Sequence, residues 1–369
     1  MKKTDEYYMK KAYKLASKVK GLTSPNPSVG AIIVKDDKII GTGYTSPPPG
    51  NHAEVVAIDS VKGDIVGSTL YVTLEPCCHY GKTPPCTDKI IKNRVKKVIV
   101  GYLDPNPLVA GKGLQILKEN GIEVEVIKKN KDIVKLNEDF NFWITNKIPF
   151  VTLKYAMTVD GKIADGFGNS KWITGSGSRR DVHKMRFKND AILVGVGTVL
   201  KDNPELTARL KTGKKALLRV ILDSKGKTSD EYSVMNDDCP TLFAVKEGVS
   251  KHFIDNVKKY NKEIWIDDSN DASINILNLL KYLGQREISS LFVEGGQAVL
   301  SSFLSNKLFH KILIYIAPKI LGSGSSYSPF AISEKINIEN VLELNDVSIK
   351  IFKSDIRICA YTDYNWHDI

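Results

Sequence analysis

Residues 76–86 read Pro76-Cys77-Cys78-His79-Tyr80-Gly81-Lys82-Thr83-Pro84-Pro85-Cys86, and upstream of them stands His52-Ala53-Glu54. His52 lies where a loop gives way to a helical pattern, Cys77 after an apolar strand, and Cys86 at a second loop-to-helix junction. Three such points converge in a layered α/β domain, and they bring one imidazole and two thiolates together. That donor set suits tetrahedral Zn2+ with the fourth position open, as catalytic rather than structural zinc requires. Cys78 and His79 adjoin Cys77 and are alternatives as a fourth or substitute ligand; Cys77 is preferred because it follows Pro76 directly. Pro84 and Pro85 start a helix at Cys86, whose N-terminus favours a thiolate there.

Around this stretch the chain alternates. An amphipathic helical run at Asp5 to Val19 precedes strands at Val29 to Val34, Ile39 to Tyr44, Leu70 to Leu74 and Val98 to Tyr102, with helices starting near Ala53, Cys86 and Gly113. A short strand at Glu123 to Ile127 and a polar helical segment from Lys131 to Asn146 close this domain, residues 1–147. A second alternating series, residues 148–369, has strands at Phe150 to Tyr155, Ala191 to Val196, Arg219 to Leu222, Leu242 to Val245, Ser290 to Val293 and Lys311 to Ala317. Its helices include Arg179 to Phe187 and Ile274 to Leu283, and its least ordered stretches are expected at Lys211 to Lys215 and Asp267 to Asp271. The fold class is α/β throughout.

With 369 residues, 42% hydrophobic and 26% charged, the chain needs neither metal nor disulfide merely to fold. Five cysteines, unevenly spaced, form no disulfide framework and indicate a reducing compartment. Lysines interrupt the first apolar residues, which argues against a signal peptide, and no window is long and apolar enough for a membrane helix. A cytoplasmic protein is expected. The net charge of +11 is scattered along the chain rather than gathered in one block, so small anionic substrates fit it better than nucleic acid. Cys239 and Cys359 read as buried thiols, and His183, His252, His310 and His367 form no catalytic pattern.

Glu54, two residues past the histidine and not needed as a ligand, is placed to carry a proton. His-x-Glu with Pro-Cys is the pattern of zinc-dependent nucleobase deaminases, in which the metal activates water and the carboxylate relays its proton to the leaving amine. Those enzymes place two residues between their cysteines, whereas eight, Cys78 to Pro85, intervene here. This long insert, together with Pro25-Asn26-Pro27-Ser28-Val29-Gly30, resembles the pyrimidine deaminase domain of the bifunctional riboflavin-biosynthesis deaminase/reductases. The resemblance implies a cytidine-deaminase-like layered fold, with Asn26, His79 and Lys82 contacting substrate and Lys82 suited to its phosphate. It leaves open the contacts of the loop Tyr44 to Asn51.

In the second domain each Gly-x-Gly lacks the third glycine of a dinucleotide fingerprint, Gly195-x-Gly197 reaching Leu200, which disfavours a Rossmann domain. Leu153-Lys154-Tyr155-Ala156, Trp172-Ile173-Thr174, Gly195-Val196-Gly197-Thr198, Asp202-Asn203-Pro204, Leu206-Thr207-Ala208-Arg209 and Val293-Glu294-Gly295-Gly296 occur in order. As an ordered set they resemble the reductase domain of the same family, which implies a dihydrofolate-reductase-like fold and NADPH as cofactor. Matched position by position, Ala156, Trp172, Thr198, Asp202, Ser224 and the run Gly296, Gln297, Ala298, Val299, Leu300, Ser301 and Ser302 are implied on the cofactor side. Lys154, Ser170, Arg186, Leu206, Arg209 and Glu294 are implied on the substrate side, with Lys154 or Glu294 as candidates to assist opening of the sugar ring. The resemblance also implies a homo-oligomer. Two rivals remain: a nucleic-acid deaminase with an RNA-binding domain, disfavoured by the cysteine spacing, and a zinc-organised sensor that binds nucleotide without turnover.

Overall fold

The computed structural model describes residues 3–80, 84–127, 130–211, 213–324, 326–332 and 335–363. The chain forms two compact units that meet in sequence between Lys147 and Ile148.

Helix α1 (Asp5–Lys18) opens the first unit. The Thr4 hydroxyl caps it by accepting the Tyr7 N–H at 3.3 Å, and Asp5, Glu6 and Lys18 complement the helix dipole. Its Tyr8, Met9, Ala12 and Ala16 stripe is buried against the sheet. Strands β1 (Gly30–Lys35), β2 (Lys38–Tyr44), β3 (Thr69–Val72), β4 (Lys97–Val100) and β5 (Glu123–Val126) lie in the order β2-β1-β3-β4-β5. β1 is antiparallel to β2 and β3, whereas β3, β4 and β5 are parallel. The parallel strands β3 and β4 read as apolar runs because both faces are covered. Helices α2 (Ala53–Asp59), α3 (Cys86–Lys92) and α4 (Lys112–Glu119) follow β2, β3 and β4. Gly43 lets α2 approach β2, since a Cβ there would stand 2.3 Å from the Ala53 carbonyl oxygen. The approach fixes the start of α2, where His52 sits.

The polar segment expected as one helix divides at Asn137 into α5 (Lys131–Leu136) and α6 (Glu138–Asn146). The Asn137 side chain supplies the reason. Its Oδ1 accepts the Ser28 N–H at 2.8 Å while its Nδ2 donates to the Ser28 carbonyl at 3.1 Å and to the Tyr102 hydroxyl at 3.3 Å. An amide that bonds distant backbone on both edges serves a tertiary junction rather than a continuous helix.

In the second unit β6 (Phe150–Thr158), α7 (Ser176–Phe187), β7 (Ala191–Gly195), α8 (Val196–Asp202), the small hairpin β8 (Ala208–Leu210) and β9 (Gly213–Lys215), β10 (Leu218–Leu222) and the short α9 (Ser233–Asn236) come first. They are followed by β11 (Thr241–Lys246), α10 (Lys251–Lys259), β12 (Glu263–Asp267), α11 (Ile276–Gln285), β13 (Ser290–Val293), α12 (Gln297–Ser305), β14 (Lys311–Ala317), β15 (Asn345–Phe352) and β16 (Asp355–Tyr361). The main sheet runs β12-β11-β10-β7-β13-β6-β14-β16-β15. Its strands from β12 to β14 are parallel and the last two form an antiparallel edge hairpin.

From β7 the chain proceeds to β10 on one side; from β13 it crosses β6 to reach β14 on the other. Crossovers of one hand in opposite directions cover opposite faces. Accordingly Val199 of α8 and Phe253 and Val257 of α10 pack on Ile192, Val194 and Phe243, whereas Leu279, Leu283, Leu300 and Phe303 of α11 and α12 pack on Leu193, Val220 and Val293. The crevice at the carboxyl ends of β7 and β13 is therefore a topological switch point, the place where such sheets bind ligands.

Both stretches expected to be loosely ordered carry defined contacts. Residues 213–215 are paired as β9 with β8, and Thr212 lies outside the described residues. Asp267 is fully buried, accepting the Asn275 N–H at 2.8 Å and the Lys246 ammonium at 3.1 Å, so the segment after β12 is anchored by a satisfied carboxylate. Its polar composition disguised an internal hydrogen-bonding hub.

Candidate active sites

At the start of α2, His52 directs Nδ1 to within 3.5 Å of Cys77 Sγ and 3.3 Å of Cys86 Sγ. Ligand atoms of the three residues all lie within 4.8 Å of one another. Cys86 is buried at the first position of α3, but its backbone N–H points to Cys77 Sγ at 3.4 Å. The helix N-terminus thus stabilises the thiolate of Cys77, where a thiolate on Cys86 itself was expected. The hydrogen bond from the Cys86 thiol, reinforced by His52, brings Cys77 down to about 4, while that same bond and burial push Cys86 well up. The hydrogen bond with Cys77 raises His52 to about 9 against the opposing effect of burial. Glu54, 4% exposed in the first turn of α2, is pushed up to about 7 by burial, with His52 pulling the other way.

Near this centre His79 is half-buried, and its Nδ1 has no partner among the described residues. Asn26 stands in a turn, its N–H bonded to the Thr23 carbonyl at 2.9 Å. Lys82 lies outside the described residues. The Tyr44 to Asn51 loop is closed by the Ser46 N–H donating to the Asn51 carbonyl at 2.9 Å.

At the crevice of the second unit, Glu294 follows β13 and Lys154 lies on neighbouring β6. Arg186 of α7 grips Glu294 with Nε to Oε1 at 2.5 Å and Nη2 to Oε2 at 3.1 Å, while Lys154 Nζ stands 3.3 Å from Oε2. Burial would raise the Glu294 carboxyl, yet the adjacent guanidinium and ammonium hold it at about 2. Glu294 therefore organises its cationic neighbours and is a poor proton carrier near neutrality. Arg186 is mostly buried, and its Nη1 donates to the Thr207 carbonyl at 3.1 Å, so its fork is committed within the protein. Arg209 is exposed and pairs with Glu205 at 2.8 Å.

Helices α8 and α12 both begin at this edge. Their N-caps, Gly195 and Gly296, make no side-chain capping bond. A Cβ at Gly296 would meet nothing within 4 Å, so this backbone is open to close approach. Thr198 and Asp202 lie on α8, and Lys171 pairs with Asp202 at 3.1 Å. Ser224 follows β10, with its carbonyl accepting the Lys246 N–H. Ala156 is half-buried on β6. Trp172 is 65% exposed with the Arg179 guanidinium 4.5 Å from its ring centroid, so it is no core residue. Ser170 is on the same exposed loop. Of the run from Gly296 to Ser302, Gln297 donates to the Ser328 carbonyl, Ser301 accepts the Ala331 N–H, and Leu300 is fully buried in the core. Leu206 is likewise in the core, at a positive φ of 53°.

Sequence reasoning missed two acidic residues beside the metal loop. Glu75, 3% exposed, accepts three backbone N–H groups, and Asp104 is pushed up to about 7 chiefly by burial. Only the adjacency of Glu75 to Pro76-Cys77 hinted at the first.

Residues 149–358 match the RibD C-terminal domain model, and residues 2–102 match the cytidine and deoxycytidylate deaminase zinc-binding region. The riboflavin biosynthesis protein RibD of Aquifex aeolicus is 42% identical over 359 residues, covering 97% of this chain and 98% of that protein. The chain belongs to the RibD family. A RibD structure from Acinetobacter baumannii superposes with a TM-score of 0.86 at 35% identity, covering 97% of this chain and 98% of the other. The structure of a diaminohydroxyphosphoribosylaminopyrimidine deaminase/5-amino-6-(5-phosphoribosylamino)uracil reductase from Thermotoga maritima does so with a TM-score of 0.85 at 39% identity, again over 97% and 98%. As a RibD, the chain is a bifunctional riboflavin-biosynthesis enzyme, a hydrolytic deaminase and a reductase, with zinc and NADPH as cofactors.

Proposed function

We propose that residues 1–147 hydrolyse the 2-amino group of 2,5-diamino-6-(5-phosphoribosylamino)pyrimidin-4-one, releasing ammonia and 5-amino-6-(5-phosphoribosylamino)uracil. Residues 148–369 then reduce the ribosyl group of that product to ribityl with NADPH. The observation that carries this reading is the convergence of His52, Cys77 and Cys86 beside buried Glu54, in a chain similar along nearly its whole length to the Thermotoga enzyme of that name.

One imidazole and two sulfurs, with the thiolate of Cys77 already favoured, fit zinc and would hold it. When bound, the metal supplies the Lewis acidity that makes hydroxide available near neutrality. Glu54 takes up a proton and returns it to the leaving amine, its burial keeping bulk water from competing. His79, whose buried ring nitrogen has no partner among the described residues, and Asn26 bind the pyrimidine, while Lys82 binds the phosphate.

In the second unit the start of α12 at Gly296 fits a dinucleotide phosphate, because a glycine whose Cβ position meets nothing within 4 Å lets a ligand approach the helix N-terminus closely. Trp172, Thr198, Asp202, Ser224 and the first turn of α12 line the cofactor side, with Ala156 beneath; Leu300 acts only as packing under that turn. NADPH supplies the hydride. Lys154, oriented by Glu294, donates a proton as the sugar ring opens, and Arg209 with Ser170 holds the phosphate end. Arg186 and Leu206 shape this side without a free polar group to offer.

The enzyme works in the cytoplasm on a small anionic substrate and assembles with a second copy of itself. Ile314, Ile316, Ile349, Ile351, Ile356 and Ile358 share one face of β14, β16 and β15, paired in register; Ile349 and Ile351 are 66% and 68% exposed, and neighbouring Val347 is 57% exposed. Six residues, each covering two positions of ~3.3 Å along strands spaced ~4.8 Å apart, present about 190 Å² of apolar face. An uncharged face beside an open strand edge complements itself. Ile349→Lys should convert a dimer to monomer in sedimentation; unchanged mass would reject this face.

The decisive assay follows ammonia and NADPH together on zinc-loaded protein given the diaminopyrimidine phosphate. Ammonia release followed by equimolar NADPH loss is expected. Ammonia without NADPH oxidation would remove the reductase half of the reading, and neither product would remove both.

A further inference from the structure

The carboxylate of Glu75 makes no ion pair among the described residues, yet it is buried three residues beyond the end of β3. Its oxygens are engaged by backbone alone. Oε2 accepts the Asp104 N–H at 3.1 Å and the Gly111 N–H at 3.0 Å, and Oε1 accepts the Leu114 N–H at 3.3 Å. Its own N–H donates to the Tyr102 carbonyl at 3.1 Å. One side chain thereby gathers the loop after β4 and the first turn of α4 onto the peptide that leads into Cys77.

A second observation shows how close that contact is. A Cβ on Gly113 would stand 2.3 Å from the Pro76 carbonyl oxygen and 3.2 Å from Glu75 Oε1, so α4 rests directly on the Pro76-Cys77 peptide. On its other flank Cys77 is held by α3, its carbonyl accepting the Thr87 N–H at 3.2 Å and its sulfur the Cys86 N–H at 3.4 Å. Cys77 thus hangs between two clamps, one from α3 and one whose fastener is Glu75.

We infer that Glu75 is a positioning residue of the deaminase centre: by binding three amides of the 104–114 segment, it fixes where Cys77 presents its sulfur to the metal. The inference rests on the deaminase reading only for the kinetic part of its test. A carboxylate is required because both oxygens accept; glutamine keeps the shape but turns an NH₂ group toward at least one backbone N–H. Partners that orient metal ligands typically change metal affinity or activity 10–100-fold when removed.

The experiment compares wild type, Glu75→Gln and Leu117→Ala as full-length protein loaded with Co2+ or Zn2+. Leu117 is fully buried on α4, so its truncation loosens that helix while leaving the carboxylate in place. Expected for Glu75→Gln are shifted visible Co2+ bands, metal affinity lower by about 10–100-fold in chelator competition, a similar fall in deaminase kcat with KM little changed, and unaltered reductase turnover. Leu117→Ala should keep the wild-type Co2+ spectrum. The inference is overturned if Glu75→Gln retains the spectrum and affinity, if its loss lies in KM alone, or if Leu117→Ala reproduces its spectrum. Spectrum and affinity need no turnover, so a wrong substrate assignment would leave them readable.

Discussion

Glu54 and Glu294 are both buried glutamates beside a reaction centre, and their carboxyls stand at about 7 and about 2. Glu54 sits in the first turn of α2 with two sulfurs and a histidine for neighbours, and burial dominates. Glu294 meets a forked guanidinium and an ammonium, whose attraction outweighs the same burial. Burial alone therefore does not say what a carboxylate can do. A group held near neutrality moves protons, whereas one locked to cations holds geometry.

The comparison breaks most visibly at Glu54. Glu54→Gln should retain zinc by metal analysis but lose about 10²–10⁴-fold in ammonia release, while NADPH oxidation with the deaminated intermediate persists. Retained deamination would show that the proton travels elsewhere. Next in size is Glu294→Gln, which strands Arg186; breaking a buried pair costs about 3–5 kcal/mol, to be read as a lower urea midpoint for the second unit. Its hydride transfer should fall less than that of Lys154→Ala, and the reverse order would restore Glu294 as the proton donor.

The pH dependence sharpens the contrast. Because the folded carboxyl of Glu294 lies at about 2, below its ordinary 4.5, the stability it lends is complete above pH 4.5 and is lost as pH falls through about 2. Arg186→Met should raise that carboxyl and remove much of the slope between these limits in acid unfolding. An effect of the same sign belongs to His310, which burial lowers to about 4 from 6.5. Its neutral ring favours the fold above pH 6.5, and that support is lost as pH falls toward 4. His310→Gln should flatten this part of the curve.

The convergence of His52, Cys77 and Cys86 into a candidate metal centre was legible in the sequence because a metal dictates residue types, and these three have few substitutes as a set. The alternating strands and helices were legible from apolar periodicity. Glu75 and Asn137 were not, because their partners are backbone groups distant in sequence, and a backbone N–H at Gly111 or Ser28 leaves no trace in residue identity. The pairing of Arg186 with Glu294 was hidden for a similar reason: the partner arrives from the end of β13 through the sheet order, which periodicity does not encode. Asp267 misled because residues that build a polar hub are also those that build loose loops.

The Asn137 amide bears on portability. The zinc-binding match ends at residue 102, yet the backbone of Ser28 and the Tyr102 hydroxyl are fastened by a side chain contributed by residue 137. A gene fragment trimmed to the matched region would encode the metal ligands but omit the stitch beside Asn26. Any transplant of this chemistry into another scaffold has to carry the closing helices through Lys147 as part of the cargo.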